Sequence, residues 1–227
     1  MKNYENYKDY FYENTEVLRN ILDIRDQQLL NNTERKLVSL RISELGQNPI
    51  PGSFDFNHLK AINRYLFQDL YEWSGESRKC EMEKIDIFCL YSNIDDYANE
   101  IFNGLKESNY FINCTYDEKI EKLADLFGDI NALHPFREGN GRTQREFIEE
   151  LAKINGVNLD LTQIGQKKMI EASHMSMLGD NSLLIELFNT CSSTISLQLQ
   201  FYNIYNLCEP KLAKKLFDNV MSNNKKR

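Results

Sequence analysis

The stretch from residue 117 to residue 133 has the clearest hydrophobic pattern in the chain. Its large apolar residues recur at intervals of three and four, which is typical of one face of an α-helix. These residues are Ile120, Leu123, Leu126, Phe127, Ile130 and Leu133. Asp117 and Glu118 stand near the start of the stretch, where carboxylates interact favourably with the helix dipole. The pattern therefore predicts a buried helix that ends next to His134.

Similar patterns predict further helices, and together they indicate an all-α fold. The predicted helices span 33–45, 55–67, 164–177 and 182–201, and another begins at Thr143 and stops at Asn155-Gly156. Residues 1–20 form an aromatic-rich arm, and Pro and Gly mark 48–52 as a loop. Residues 79–93 break the helical pattern because β-branched and aromatic residues alternate with polar ones. Such alternation does not fit a helix.

The size of the chain fits one domain. With 227 residues, of which 41% are hydrophobic, the chain can bury a sizeable core. We expect residues 1–227 to form a single unit with its core over about 10–190. Residues 191–227 are expected to add a C-terminal helical extension that ends in a basic tail.

Charge and cysteine content narrow the class of protein. The formal net charge is −7, which argues against a nucleic-acid surface because phosphate backbones require concentrated Lys and Arg. Five scattered cysteines without a Cys-x-x-Cys pair indicate free thiols in a reducing compartment. No apolar run approaches the ~18 residues of a membrane span, and the start of the chain has no apolar signal core. We therefore expect a cytoplasmic protein that does not enter the membrane.

Residues 134–145 read His-Pro-Phe-Arg-Glu-Gly-Asn-Gly-Arg-Thr-Gln-Arg. Gly139 and Gly141 can adopt positive φ, and successive N–H groups in such a turn form a concavity that binds anions. A helix that begins at Thr143 would add an N-terminus that favours phosphate. The Asn140 amide can donate a further hydrogen bond to a phosphate oxygen. This loop therefore predicts a phosphate-binding site.

The charged side chains of the same segment fit catalysis on a bound polyphosphate. Arg142 and Arg145 offer planar forks for phosphate oxygens. Glu138 would repel phosphates unless a cation lay between them, so it is the candidate ligand for Mg²⁺. Histidine is the side chain of this segment whose ordinary pKa lies near neutrality, so His134 suits a general base. Each residue alone could be structural, and the functional interpretation depends on their joint occurrence within twelve positions.

With every fixed position filled, residues 134–145 resemble the signature of Fic-domain proteins, His-x-Phe-x-(Asp/Glu)-Gly-Asn-Gly-Arg-x-x-Arg. Residues 59–75 are similar to the early core helix of that family and the turn after it. Asn63 stands where a histidine is common, at a position expected to lie away from the chemistry. The arm segments 10–12 and 17–20 resemble those of small bacterial Fic toxins. The resemblance implies a Fic-type helical bundle with a short β-hairpin flap.

The resemblance also implies an activity. Fic proteins of this type transfer AMP from ATP to a Ser, Thr or Tyr hydroxyl of a target protein. His134 would remove the hydroxyl proton, Glu138 would hold Mg²⁺, and the ATP phosphates would lie on Gly139, Asn140, Gly141, Arg142 and Arg145. A Fic-fold module that binds nucleotide or a partner without turnover, and a transferase that uses UTP or GTP, are the alternatives.

The resemblance places the β-hairpin flap at residues 79–93. This flap is expected to align the target segment by strand addition. Relatives often have Lys-Gly ahead of a phenylalanine, whereas this chain has Lys84-Ile85 followed by Phe88. These three residues are the candidate target-docking positions. The loss of the glycine leaves the shape of the flap and the choice of target open.

Many Fic proteins are inhibited by a helix that carries (Ser/Thr)-x-x-x-Glu-(Gly/Asn), whose Glu pairs with the second arginine, here Arg145. Residues 77–81 and 182–186 have the spacing, but Met82 and Leu187 follow the glutamate in each case. The absence of a complete motif implies a separate small antitoxin as partner. Small Fic toxins similar to this chain modify type II topoisomerase subunits, and effectors with similar cores modify small GTPases. Since no delivery domain is evident, the resemblance favours a topoisomerase subunit as target.

Overall fold

A computed structural model describes residues 7–82 and 88–224 and is mostly helical. Its helices are α1 Gln27–Gln47, α2 Phe56–Phe67, α3 Ile94–Glu107, α4 Tyr116–Leu133, α5 Asn140–Ile154, α6 Gln166–Met177, α7 Ser182–Thr190, α8 Leu197–Leu207 and α9 Pro210–Asn224. Two short strands, β1 Val157–Leu159 and β2 Ser192–Thr194, pair antiparallel with Val157 opposite Thr194. The prediction of a helical bundle is confirmed.

Helix α5 lies at the centre of the bundle. It packs against α2, α4, α8 and β1. Its fully buried apolar residues are Phe147, Ile148, Leu151, Ala152 and Ile154. Because burial of apolar surface is the main stabilising term in folding, these contacts hold α5 firmly. They also fix the loop that leads from α4 into α5, which carries the candidate site residues.

Polar side chains cap the helices around that loop and explain where the helices begin. Asp26 caps α1, so this helix starts well before the predicted residue 33, and Asp55 caps α2. Thr115 and Glu118 form a capping box at the start of α4, whose predicted course is confirmed. Helix α4 therefore has a defined start, and its last turn ends next to His134 of the candidate site.

Two parts of the helical prediction differ from the structure. Helix α3 was not predicted, although its buried residues recur at helical spacing; they are Ile94, Ala98, Ile101, Phe102 and Leu105. The predicted helix over 182–201 is interrupted by β2, which pairs with β1. Ser196 then caps α8 by accepting a hydrogen bond from the backbone N–H of Leu199. The strand pairing therefore overrides the helical pattern between α7 and α8.

The predicted hairpin over 79–93 falls partly on residues 83–87, which lie outside the described residues. Its described flanks contain no strand, and Tyr91–Asn93 form a 3-10 turn. The antiparallel pair in the described part of the chain is instead β1 with β2. The shape of the flap therefore stays a prediction.

The N-terminal arm folds onto the bundle near the candidate site. Phe11 and Leu18 form an antiparallel bridge that closes a small loop. The ring of Tyr10 packs edge-on against Trp73 at 5.4 Å, and the guanidinium of Arg137 lies over the Phe11 ring at 5.0 Å. The arm thus contacts the 134–145 segment directly.

At the other end of the chain, α8 packs against both α5 and α9. Within residues 7–82 and 88–224, no helix combines the length and the apolar character that crossing a bilayer requires.

Candidate active site

His134 ends helix α4 in the left-handed conformation, with φ 43° and ψ 57°. Its Nδ1 lies 3.3 Å from the carbonyl oxygen of Asn131. A ring nitrogen that faces a carbonyl carries the proton, so the neutral imidazole keeps its lone pair on Nε2. His134 is therefore arranged to accept a proton at Nε2, as a general base requires.

Phe88 covers one face of this imidazole. The two rings are stacked, with centroids 3.7 Å apart and planes 14° from parallel, and both side chains are buried. The predicted flap residue thus contacts the candidate base itself. The other two flap candidates, Lys84 and Ile85, lie outside the described residues.

Gly139 opens the anion-binding part of the site. Its φ is +82°, and a Cβ built at this position would lie 2.1 Å from the ring of Phe67. Only glycine satisfies both constraints. The predicted start of α5 at Thr143 is wrong, because Gly139 in this conformation lets the helix begin at Asn140.

The first turn of α5 therefore contains the Gly-Asn-Gly-Arg sequence. No side chain caps this N-terminus, and Thr143 N–H already donates to the Gly139 carbonyl. The backbone N–H groups of Asn140, Gly141 and Arg142 precede it and have no carbonyl within the helix to accept them. Together with the helix dipole they form a site for phosphate oxygens.

The side chain of Asn140 has a different role from the predicted one. Its Oδ1 accepts a hydrogen bond from Phe136 N–H at 2.9 Å, and its Nδ2 donates to the Phe136 carbonyl at 2.7 Å. The side chain is also buried. The amide therefore closes the loop on itself, so donation to a phosphate falls to the backbone of Asn140 rather than its side chain.

Arg142 contacts two carboxylates. Its Nη2 lies 2.6 Å from Oε1 of Glu34, on α1, and 3.3 Å from Oε1 of Glu138. The guanidinium sits over the Phe67 ring at 4.6 Å, and the Tyr71 hydroxyl donates to Oε2 of Glu34. Glu34 was not recognised in the sequence, because it comes from a helix more than a hundred residues away. It fixes the direction of the first arginine.

Arg145 is the more poorly satisfied arginine. Its Nε is buried without a hydrogen-bond partner, and within the described residues no carboxylate lies within ion-pair distance. Burial lowers the pKa of this guanidinium. A half-buried cation with an unsatisfied N–H is a receptor for an anion, either a phosphate oxygen or a carboxylate from another chain.

Two glutamates on the same helix do not neutralise this arginine fully. Burial, together with the neighbouring Glu149, raises the pKa of Glu146 to about 7. Burial also raises the pKa of Glu149. A large share of Glu146 therefore stays protonated at neutral pH, which preserves the positive charge at the start of α5.

Glu138 can take part in binding a cation. Its Oε1 accepts from Gly139 N–H at 2.8 Å and faces Arg142, and its side chain is about one-third exposed. In the described part of the chain no three His, Cys, Asp or Glu side chains converge as a metal cage. One carboxylate fits Mg²⁺ that takes its other ligands from phosphates and water.

Asn63 lies directly beneath the loop, so the expectation that it stands away from the chemistry is wrong. Its Nδ2 donates to the Glu138 carbonyl at 3.2 Å and to Thr143 Oγ1 at 3.0 Å. Its Oδ1 accepts from Gly75 N–H at 2.8 Å. This buried amide therefore connects α2 to both ends of the phosphate-binding loop.

The two near-matches to the inhibitory motif have other places in the structure. Glu81, of the first, lies 3.6 Å from Nη1 of the buried Arg78 and accepts a hydrogen bond from Tyr91 N–H. The second, 182–186, belongs to α7, which packs against α4 and α6. Neither glutamate is paired with Arg145.

The fold is a helical bundle, and its candidate site places His134 next to the uncapped N-terminus of α5. The model of the Fic/DOC family matches residues 53–152. A relative named Protein adenylyltransferase VbhT, from Bartonella schoenbuchensis, is 38% identical over 81% of this chain and 39% of its own length. The Probable protein adenylyltransferase Fic of Escherichia coli is 32% identical over 79% of this chain and 90% of its own length.

Solved structures agree. The crystal structure of BepC from Bartonella tribocorum with bound AMPPNP has a TM-score of 0.76 at 25% identity, and the match covers 83% of this chain and 98% of that one. This chain belongs to the Fic/DOC family, which confirms the resemblance read from residues 134–145. It spans less than half the length of VbhT.

Proposed function

We propose that this chain is a protein adenylyltransferase that moves AMP from ATP to a hydroxyl of a target protein. The observation that carries the proposal is the direct connection of His134 to the uncapped N-terminus of α5 through one five-residue loop. The names of its relatives and the ATP analogue bound to BepC support it.

The chemistry needs few groups from the protein. The target oxygen forms a bond to the α-phosphorus of ATP, and the bond from that phosphorus to the bridging oxygen of pyrophosphate breaks. The hydroxyl proton passes to Nε2 of His134, whose tautomer Asn131 sets. The backbone N–H groups at the start of α5 and the guanidinium groups of Arg142 and Arg145 bind the phosphates and stabilise the departing charge.

Glu138 is the residue we assign to Mg²⁺. When bound, this ion would neutralise phosphate charge and orient the leaving group. The carboxylate is close enough to the start of α5 to share a ligand with it, since its Oε1 accepts the Gly139 N–H.

The assignment is tested by incubating the chain with α-³²P-labelled ATP, Mg²⁺ and a lysate. Wild type is expected to label a protein band, and His134→Ala is expected to abolish the label while ATP affinity and unfolding temperature stay unchanged. Undiminished label with His134→Ala would refute the assignment of the base. Nucleotide binding by wild type without any label would identify a binding module, and parallel incubations with UTP and GTP would identify another donor.

Three finer features belong to the same proposal. Mass spectrometry of the labelled band identifies the target, and type II topoisomerase subunits are the first to compare. The unpaired guanidinium of Arg145 suits a carboxylate from a separate antitoxin-like chain. All five cysteines are free thiols, which suits the cytoplasm.

A further inference from the structure

Arg78 is a buried cation outside the 134–145 segment. Its residue is only 2% exposed, and burial lowers the pKa of its guanidinium. A buried guanidinium is unfavourable unless its donors are satisfied. The groups that satisfy them therefore show what Arg78 holds in place.

All three guanidinium nitrogens donate to backbone carbonyls near the site. Nε donates to His134 at 2.8 Å, Nη1 donates to Cys80 at 2.8 Å, and Nη2 donates to Cys89. Cys80 and Cys89 both belong to the 79–93 segment predicted to form the flap, one before and one after residues 83–87. One side chain thus joins both described parts of that segment to the residue that carries the base.

Backbone hydrogen bonds strengthen the same connection. Arg78 N–H donates to the Pro135 carbonyl at 2.8 Å, and Cys89 N–H donates to the Ala132 carbonyl at 2.9 Å. Both carbonyls flank His134. Arg78 and Cys89 are therefore each bonded through the backbone to a residue close to His134.

The hydrogen bond from Arg78 to the His134 carbonyl also influences how the imidazole is oriented. The left-handed backbone of His134 is unfavourable for a residue with a side chain. Its carbonyl is satisfied by Arg78 in this conformation. Phe88, next to Cys89, stacks on the same imidazole. Loss of Arg78 would loosen the base and the ring that covers it together.

We propose that Arg78 is a positioning residue that sets Cys80, Phe88 and the His134 imidazole in one fixed relation. This inference rests on the proposed function, because it assigns the flap to target docking and His134 to proton removal. It predicts that Arg78 affects the transfer step and leaves ATP binding alone, since none of its contacts reaches the start of α5.

The test compares Arg78→Lys with wild type. Lysine keeps the charge but cannot donate to three carbonyls in different directions. We expect kcat for AMP transfer to fall about 10- to 100-fold, as a small misplacement of reacting groups does, with KM for ATP changed less than twofold. The matched control is Arg41→Lys, which removes the fork to Asp69, just after the end of α2, and should leave kcat unchanged.

Alkylation of the native cysteines gives a readout that does not need activity. Cys80 is buried, and its reaction with iodoacetamide, followed by peptide mass spectrometry, should quicken at least tenfold in Arg78→Lys. Cys191, buried beside α7, should not change and reports on global stability. Wild-type kcat and wild-type alkylation in Arg78→Lys would overturn the proposal.

The two proposals fail differently. If wild type transfers no AMP, the proposed function fails, and alkylation of Cys80 still decides whether Arg78 holds the segment. If His134→Ala abolishes transfer while Arg78→Lys keeps wild-type kcat, the function stands and the role of Arg78 falls.

Discussion

The ring of Phe88 stacks on the imidazole of His134, with centroids 3.7 Å apart. A hydroxyl therefore cannot approach His134 across that face, whereas the lone pair on Nε2 lies in the plane of the ring. Under the proposed function, docking and proton removal share one contact, because Phe88 belongs to the segment expected to dock the target. This contact restricts the rotation of the base.

Phe88→Leu should lower kcat for AMP transfer roughly 3- to 10-fold, the equivalent of the 0.5–1.5 kcal/mol that an aromatic pair contributes. ATP affinity should not change, because Phe88 does not contact the phosphate-binding turn. Steady-state kinetics with labelled ATP measure both. Phe201→Leu, which disrupts an aromatic contact with Phe217 in the C-terminal helices, is the control, and equal kcat in both variants would contradict the prediction.

Glu34→Gln should raise KM for ATP about tenfold. Glutamine replaces the carboxylate that contacts Arg142 at 2.6 Å with a neutral amide. A hydrogen bond to a charged group contributes roughly 1.5–3 kcal/mol. Arg142 would lose its fixed direction toward the phosphates. Titration of a fluorescent ATP analogue follows the change.

The control for that variant comes from the same helix. Glu44 accepts a hydrogen bond from Arg41 at 2.9 Å, on the same helix α1, so Glu44→Gln makes the same chemical change away from the phosphates. Its ATP affinity should equal that of wild type. Tighter ATP binding by Glu34→Gln would show that Glu34 competes with phosphate rather than orienting the arginine.

Gly139→Ala and Gly141→Ala should differ sharply in stability. Alanine at 139 must adopt a φ of +82° with its Cβ 2.1 Å from Phe67, whereas a Cβ at 141 meets nothing within 4 Å. We expect Gly139→Ala to lower the free energy of unfolding by more than about 2 kcal/mol. Gly141→Ala should raise it by about 0.5–1 kcal/mol, because glycine weakens a helix. Urea denaturation of both variants distinguishes these outcomes.

The sequence allowed the helical fold and the location of the candidate site to be predicted because both depend on local pattern. The spacing of Ile120 to Leu133 placed α4, and the short motif placed the base beside a phosphate-binding turn. Helix α3 carries the same kind of spacing and could have been found from it. The break between α7 and α8 could not, because pairing with β1 decides it.

The supporting residues were missed for a different reason. Glu34, Arg78 and Asn63 act through contacts across 75 or more residues or through backbone carbonyls, and neither kind of contact leaves a local pattern. Asn140 shows the converse, since its amide looked suited to phosphate but is held by Phe136. A local motif therefore indicates which residues surround the proposed phosphate site. It does not show which of them, or which distant residues, hold the site in shape.

Glu150 gives a prediction about pH that is independent of catalysis. It is buried on α5, 3.7 Å from Nε2 of His58, and burial raises its pKa to about 8. Burial also lowers the pKa of His58, so the two side chains are neutral together near pH 7. An unfolded glutamate has a pKa of about 4.3.

Between those two pKa values the folded chain binds a proton at Glu150 that the unfolded chain releases. The contribution of this residue to stability must therefore decrease as pH rises from about 4.3 to about 8, by at most about 1.4 kcal/mol per pH unit. Glu150→Gln keeps the shape and cannot titrate. Urea denaturation at pH 5, 6, 7 and 8 should show that the unfolding free energy of this variant, relative to that of wild type, increases steadily with pH. The titration of His58 has the opposite effect on stability, but it is common to both proteins. A difference in unfolding free energy that is the same at all four pH values would mean that Glu150 is ionised in the folded state, paired with a protonated His58.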